Sequence, residues 1–266
     1  MKKIVISCGP IPAKLDSVKI VTNIFKGGLA LKTAEYLYEN FTNVTILKDK
    51  STKYENKDNI NVIETDGVLD YFDWFQKNAN NYDVFIMAGA VSNLMPSKPY
   101  KNKFPSHNYK VGESFDIPFE IAPRAIDIIK KANPYCCLIG YKLFDAKDDE
   151  ELIKIATHVL HDSKANIIIA NTPKDAKNRK IILTQDGASI PMSFDEHLKF
   201  INKTIRAEYF KTNIVNISDE EREFLEPYVA MVKYYESQYC KNHGTIAIKI
   251  EKDDFTGMVT TSRGHF

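Results

Sequence analysis

Residues 3–34 read KIVISCGPIPAKLDSVKIVTNIFKGGLALKTA, and the reading of the chain starts from them. Lys3–Ser7 is apolar and β-branched, so it reads as a first buried strand. The chain leaves this strand at Gly9-Pro10, crosses a polar loop holding Asn23, and enters a helix at Gly27-Gly28. Apolar or small residues at 29, 30, 34, 37 and 38 carry that helix to about residue 40. Such a turn presents backbone N–H groups to an anion. The spacings G-x-G-x-x-G and G-x-x-x-x-G-K-[ST] are both absent, so a plain tight connection fits the turn equally well.

Outward from this unit, strands and helices alternate. Strands are expected at Val44–Leu47, Ile60–Ile63 and Val84–Ala88, with an aromatic amphipathic helix at Val68–Asn78 whose Trp74 reads as core. The alternation predicts an α/β fold: a doubly wound, mostly parallel, Rossmann-like sheet buried on both faces. Gly89–Ala122 interrupts it with a long excursion rich in proline and lysine, expected to hold a small β-hairpin and to be functional or mobile. A helix at Pro123–Lys131, a strand at Tyr135–Gly140, an acid-headed helix at Asp148–His161 and a strand at Asn166–Ala170 follow. Asp186-Gly187 signals a hairpin within Arg179–Met192, and Ser193–Glu196 is a capping box opening a helix to about Ile205. A boundary near Arg206 divides a 1–206 domain from a 207–266 α/β extension. The extension is expected to hold a second capping box at Ser218–Glu221, a helix to about Tyr239, and strands at 244–250 and 258–261.

The 266 residues are 44% hydrophobic and 27% charged with a net charge of +1. That balance is ordinary for a globular protein and argues against nucleic acid as the main partner. No apolar run reaches the roughly 18–20 residues of a membrane span, and the N-terminal run is too short for a signal peptide. A cytoplasmic protein is expected. Cys8, Cys136, Cys137 and Cys240 show no metal or disulfide spacing. Of the histidines, His158 and His161 stand three apart on one helix without a zinc-type companion set and read as helix surface.

The order of motifs over roughly residues 2–206 resembles the phosphopantothenate–cysteine ligase family. GPIPAKLDSVKIVTN is similar to the family's opening, a glycine loop followed by Ile-Asp-x-Val-Arg and a Ser/Thr-Asn pair, with Asp16, Val18, Lys19, Thr22 and Asn23 in those places. IMAGAVSN is similar to Met-Ala-Ala-Val-Ser-Asp, KFPS to Lys-Ile-x-Ser, and IGYKL to Phe-Lys-Leu. Pro123 opening a helix and NIIIAN ending at Asn171 complete the set.

The resemblance implies joining of phosphopantothenate to cysteine through an acyl-nucleotide, using CTP or ATP with Mg2+. It implies a homodimer as well. Attack of a carboxylate on an α-phosphate brings two anions together, so a cation must neutralise charge there. Lys103, ten residues past Asn93 as in the family, is the candidate, with Lys110 as the fallback and a solvated loop lysine as the plain reading. Asn23 is the candidate for holding the acyl intermediate, with a loop or N-cap residue as its plain reading. By resemblance Met87, Ala88, Gly89, Asn93, Pro123, Arg124, Ala125, Ile126 and Tyr141 line the nucleotide site, and Lys142 is the candidate triphosphate contact. Because the chain begins directly at the ligase strand, no flavin is expected, and decarboxylation is expected of a separate enzyme.

Several positions depart from the family: Ile11 for Thr, Ala13 for an acid, Lys19 for Arg, Phe25-Lys26 for a Ser-Ser/Thr pair, and Asn93 for Asp. They leave open a non-catalytic or substrate-diverged relative. A dinucleotide oxidoreductase is disfavoured by the missing glycine spacing and by a second strand that reads as ending at Leu47-Lys48, without an acid.

Overall fold

The structure, a computed structural model, describes residues 2–56, 59–185 and 187–207, then 223, 224, 226–228, 230 and 231, and the strands Ala247–Lys252 and Phe255–Thr260. Contacts divide the chain into two compact units, 1–211 and 212–266. In the second, the two strands pair antiparallel with Ile248 opposite Val259. The expected capping box at 218–221 and most of the helix expected up to Tyr239 lie outside the described residues. Among the described residues no helix is long and apolar enough to cross a membrane.

The first unit is built on strands β1 (Ile4–Cys8), β2 (Val44–Asp49), β3 (Asn61–Thr65), β4 (Val84–Met87), β5 (Cys137–Leu143), β6 (Ile167–Asn171), β7 (Ile181–Thr184) and β8 (Gly187–Ala188). They lie side by side as β3-β2-β1-β4-β5-β6-β7-β8. Pairing is parallel from β3 to β6 and antiparallel at β7 and β8. The helices are α1 (Gly28–Asn40), α2 (Val68–Asn78), α3 (Ile126–Ala132), α4 (Asp149–Ser163) and α5 (Phe194–Ala207).

Every residue of β1, β2 and β6 is buried, as strands covered on both faces require. Alternation sorts their side chains into two cores. Ile4, Ile6, Val84, Ile86 and Ile139 meet Ala34 and Leu37 of α1 and Ile201 and Ile205 of α5. Val5, Phe85, Leu138 and Ile168 meet Phe75 of α2, Ile129 of α3 and Leu152 and Leu160 of α4. The doubly wound, mostly parallel sheet read from the sequence is therefore present. The excursion's hairpin pairs Leu94–Pro96 with Phe119–Ile121, and the Ser193–Glu196 box closes through Glu196 N–H on Ser193 Oγ and Ser193 N–H on Glu196 Oε2.

Three boundaries differ from expectation in ways that matter for the site. β2 continues to Asp49 because β3 pairs with it as far as Asp49↔Thr65. β5 continues through Tyr141, Lys142 and Leu143 because β6 extends the ladder to Leu143↔Asn171. α3 begins at Ile126 rather than Pro123, since Arg124 and Ala125 form a tight turn of i to i+3 bonds.

Gly27 precedes α1 with φ +79°, and a Cβ there would stand 2.3 Å from the Cα of Gly9, itself at φ +77°. Replacing Gly27 by Ala adds backbone strain to a backbone overlap, and should cost about 2–4 kcal/mol. Gly28→Ala, at a position with open space around the added carbon, should shift stability by less than about 1 kcal/mol. Urea unfolding of the two variants checks both.

Candidate functional site

Strand β1 connects through α1 to β2 on one side, while its other neighbour β4 leads on to β5. Connections that diverge in this way open a crevice at the carboxyl ends of the two strands. Here the chain beyond both strands stays paired. Pro10–Ile11 runs parallel to Ala90–Val91, with Ala90 N–H on Gly9 O at 2.9 Å and Ser92 N–H on Ile11 O at 2.9 Å. Gly89 N–H donates to Ser7 Oγ at 3.0 Å.

Ala13–Lys14 pairs antiparallel with Ile20–Val21, which folds the first loop back and brings Asn23 over the second. Asn23 Nδ2 donates to Ala90 O at 2.9 Å and to Val91 O at 3.1 Å. Two carbonyl acceptors take both amide hydrogens and so fix which way the amide faces. Among the described residues nothing donates to its Oδ1.

A cavity of about 1120 Å³ opens on this floor. Asn23, Gly89 and Asn93 line it from the loops after β1 and β4, and Met87 from the end of β4; Pro123, Arg124, Ala125 and Ile126 line it at the entry to α3; Tyr141 and Lys142 line it at the end of β5. The structure thus brings together most of the residues singled out in the sequence. Two stand apart from that lining. Ala88 packs against the α1 core, and Lys103 is an exposed residue of the excursion. Among the departures, Phe25 and Asn93 face the cavity, whereas Ile11 and Ala13 are buried in the core at 0% and 3% exposure and belong to packing.

Arg124, Lys142 and Lys154 supply cationic groups to the lining, and Asp162 an anionic one. Arg124, half-exposed, has its Nε 3.5 Å from Asp127 Oδ2, and Lys142 Nζ lies 5.9 Å from the Phe144 ring centroid. Asn93 adds no charge. His158 and His161 do border the far arm of the cavity, where His158 Nε2 is 3.2 Å from Asp162 Oδ2. Among the described residues no group of three His, Cys, Asp or Glu residues could hold a metal ion.

Two residues behind the cavity were not legible in the sequence. His197, fully buried on α5, sits with Nε2 2.9 Å from Tyr141 OH and Nδ1 against Phe194 O. A carbonyl can only accept, so Nδ1 carries the hydrogen and Nε2 accepts from the phenol. Burial, with the nearby Lys180 charge, pushes His197 down to about 4 against the pull of the Phe194 carbonyl and Asp195. Its place in the apolar series His197, Leu198, Ile201, Ile205 was the available signal.

The other is Asp49. The second strand does end in an acid, contrary to the expectation of a Leu47-Lys48 end. Its carboxylate is 2% exposed. Oδ1 accepts from Ser51 N–H and Ser51 Oγ, and Oδ2 from Gly67 N–H at 2.7 Å. It organises the neighbouring turns and is closed to a ribose.

Fold and crevice together define a Rossmann-type α/β protein whose candidate site is the cavity at the switch point between β1 and β4. Residues 1–213 match the family described as the DNA/pantothenate metabolism flavoprotein C-terminal domain, and the chain belongs to that family. The coenzyme A biosynthesis bifunctional protein CoaBC of Thermococcus kodakarensis is 26% identical over 191 residues, covering 70% of this chain and 46% of that protein. CoaBC of Vibrio vulnificus is 27% identical over 96 residues, 36% of this chain and 24% of its own. The chain therefore spans less than half the length of these curated relatives. A Streptococcus pneumoniae DNA/pantothenate metabolism flavoprotein structure superposes with a TM-score of 0.70 at 24% identity, over 79% of this chain and 100% of that one. A Cab2 variant bound to phosphopantothenate-cysteine superposes with a TM-score of 0.66 at 14% identity, over 78% and 86%. These likenesses show a shared fold.

Because His197 is held far below its ordinary value, the unfolded chain binds a proton between about pH 6.5 and 4 that the folded chain does not. Stability from this group is complete above pH 6.5 and is lost as pH falls through that window, on the order of 3 kcal/mol in all. Denaturant midpoints measured from pH 7 to 4 should show this slope, and His197→Gln should flatten it.

Proposed function

We propose that the chain is an amide ligase that joins 4′-phosphopantothenate to cysteine, activating the acid as an acyl-nucleotide with CTP or ATP. The observation that carries this reading is the Asn23 bridge: one amide, in the family's Ser/Thr-Asn position, stands on the cavity floor with its carbonyl end unengaged. Membership of the family and the CoaBC relatives support the substrate class.

In the first half-reaction a carboxylate oxygen bonds to the α-phosphorus and pyrophosphate leaves. Charge at that centre must be offset by cations. Arg124 and Lys142 are already on the cavity wall, and we assign them to the phosphates. Lys103 starts in solvent, so in this reading the excursion carries it over the nucleotide as the site fills. A magnesium ion would come with the phosphates, since the described residues form no cage for one.

In the second half-reaction the cysteine nitrogen bonds to the acyl carbon, the carbon–oxygen bond to the nucleotide breaks, and a nucleoside monophosphate leaves. With both hydrogens of Asn23 committed to Ala90 O and Val91 O, the amide acts through Oδ1. It accepts from the attacking amine and turns the nitrogen lone pair towards the acyl carbon. A homodimer fits this reading, with the excursion hairpin as its contact: Leu94, Phe119 and Ile121 are 44%, 43% and 73% exposed.

Incubation with phosphopantothenate, cysteine and either nucleotide should release pyrophosphate and give the amide by mass spectrometry; no turnover with CTP or ATP overturns the proposal. Lys103→Ala should lower pyrophosphate release about 100-fold or more. Asn23→Ala should leave a cysteine-free burst of pyrophosphate intact while slowing amide formation by a similar factor.

A further inference from the structure

We propose that Asp16 is a positioning residue whose carboxylate latches the excursion carrying Lys103 onto the loop carrying Asn23, so that the two half-reaction residues move as one body. The assignment of those two residues rests on the ligase reading; the latch itself rests on geometry.

The Asp16 side chain is completely buried, although it lies in a loop. Oδ1 accepts from Val18 N–H at 2.7 Å and Lys19 N–H at 2.6 Å, both within its own turn. Oδ2 crosses to the excursion and accepts from Phe104 N–H at 2.9 Å, a bond spanning 88 residues, and Lys19 Nζ stands 3.2 Å away. Burial alone would raise this carboxyl. The Phe104, Val18 and Lys19 donors overcome it and hold the group well below the usual carboxylate range. Its two oxygens are engaged by the Val18, Lys19 and Phe104 backbone donors and by Lys19 Nζ.

The contact is made at the residue next to Lys103. Phe104 is 6% exposed and is the centre of an aromatic group, with Phe115, Tyr100 and Tyr109 rings at 4.6, 5.1 and 5.5 Å. A second bond, Tyr100 N–H on Leu15 O at 2.9 Å, runs beside the first. From Asp16 the first loop turns back through the Ile20–Val21 pairing to Asn23. An excursion rich in proline has little regular structure of its own to place a lysine. Asp16 supplies the missing anchor, and it ties closure over a nucleotide to the placement of the amide that acts afterwards.

Hydrogen exchange reads the latch whether or not the protein turns over. In the wild-type chain the Phe104 amide should be protected at least tenfold over a free peptide; an unprotected Phe104 amide overturns the proposal. In Asp16→Asn, which keeps the volume but cannot accept on both sides, protection should fall across 97–118 while β1 and β4 amides stay unchanged. In the ligase assay Asp16→Asn should lower pyrophosphate release at least tenfold with the nucleotide KM within about threefold. In a Lys103→Ala background the same change should alter release by less than twofold. Full multiplication of the two losses overturns the positioning role. A wild type that never turns over overturns the ligase reading and leaves the exchange result to decide the latch.

Discussion

Gly27 lies against Gly9 with no room for a carbon between them, and much of the first unit follows from that contact. It brings the start of α1 hard against the turn that leaves β1, and the crossover through α1 carries the chain to β2. With β2 and β3 on one side of β1, the chain returns on the other side to place β4. The crevice between β1 and β4 is the geometric result. Two positive-φ glycines, eighteen positions apart in sequence, thus locate the site before any of its functional side chains is considered.

Much of the site's wall is loop, and buried or half-buried polar side chains hold it together with short ladders. The Asn23 amide grips two successive carbonyls, the Asp49 carboxylate grips donors from two turns, and the Asp16 carboxylate grips donors from two loops. The two carboxylates are buried and the amide is partly buried, and each spends hydrogen bonds on loop backbone that has no regular partner.

The alternation of strands and helices, and so the sheet, was legible because the apolar runs at Ile4–Cys8, Val84–Met87 and Ile167–Asn171 have no other use. Part of the cavity wall was legible as well, but through the ordered motifs rather than through composition. The ends of elements were not. Nothing local tells β5 to continue through Tyr141 and Lys142, because the cause is its partner β6. The roles of Asp49 and Asp16 were hidden for the same reason: each carboxylate is defined by amides, Gly67 and Phe104, that only the fold brings near. His197 carried a faint trace in the apolar spacing of α5, while the bond that gives it meaning belongs to Tyr141, 56 residues away. Ile11 and Ala13 looked like altered site residues and are core: Ile11 pairs with Val91 after β4, and Ala13 with Val21 within the first loop.

The closed carboxylate of Asp49 bears on which ligands a crevice of this shape can anchor. A sheet with this strand order is the common chassis of dinucleotide enzymes, and nicotinamide cofactors are abundant competitors for any crevice of its shape. Where those enzymes offer a ribose an open acid at the end of the second strand, this chain has sealed that acid beneath Ser51 and Gly67. The adenosine half of a dinucleotide therefore meets no acceptor at its usual anchorage. At that place the carboxylate already holds three hydrogen bonds within the chain.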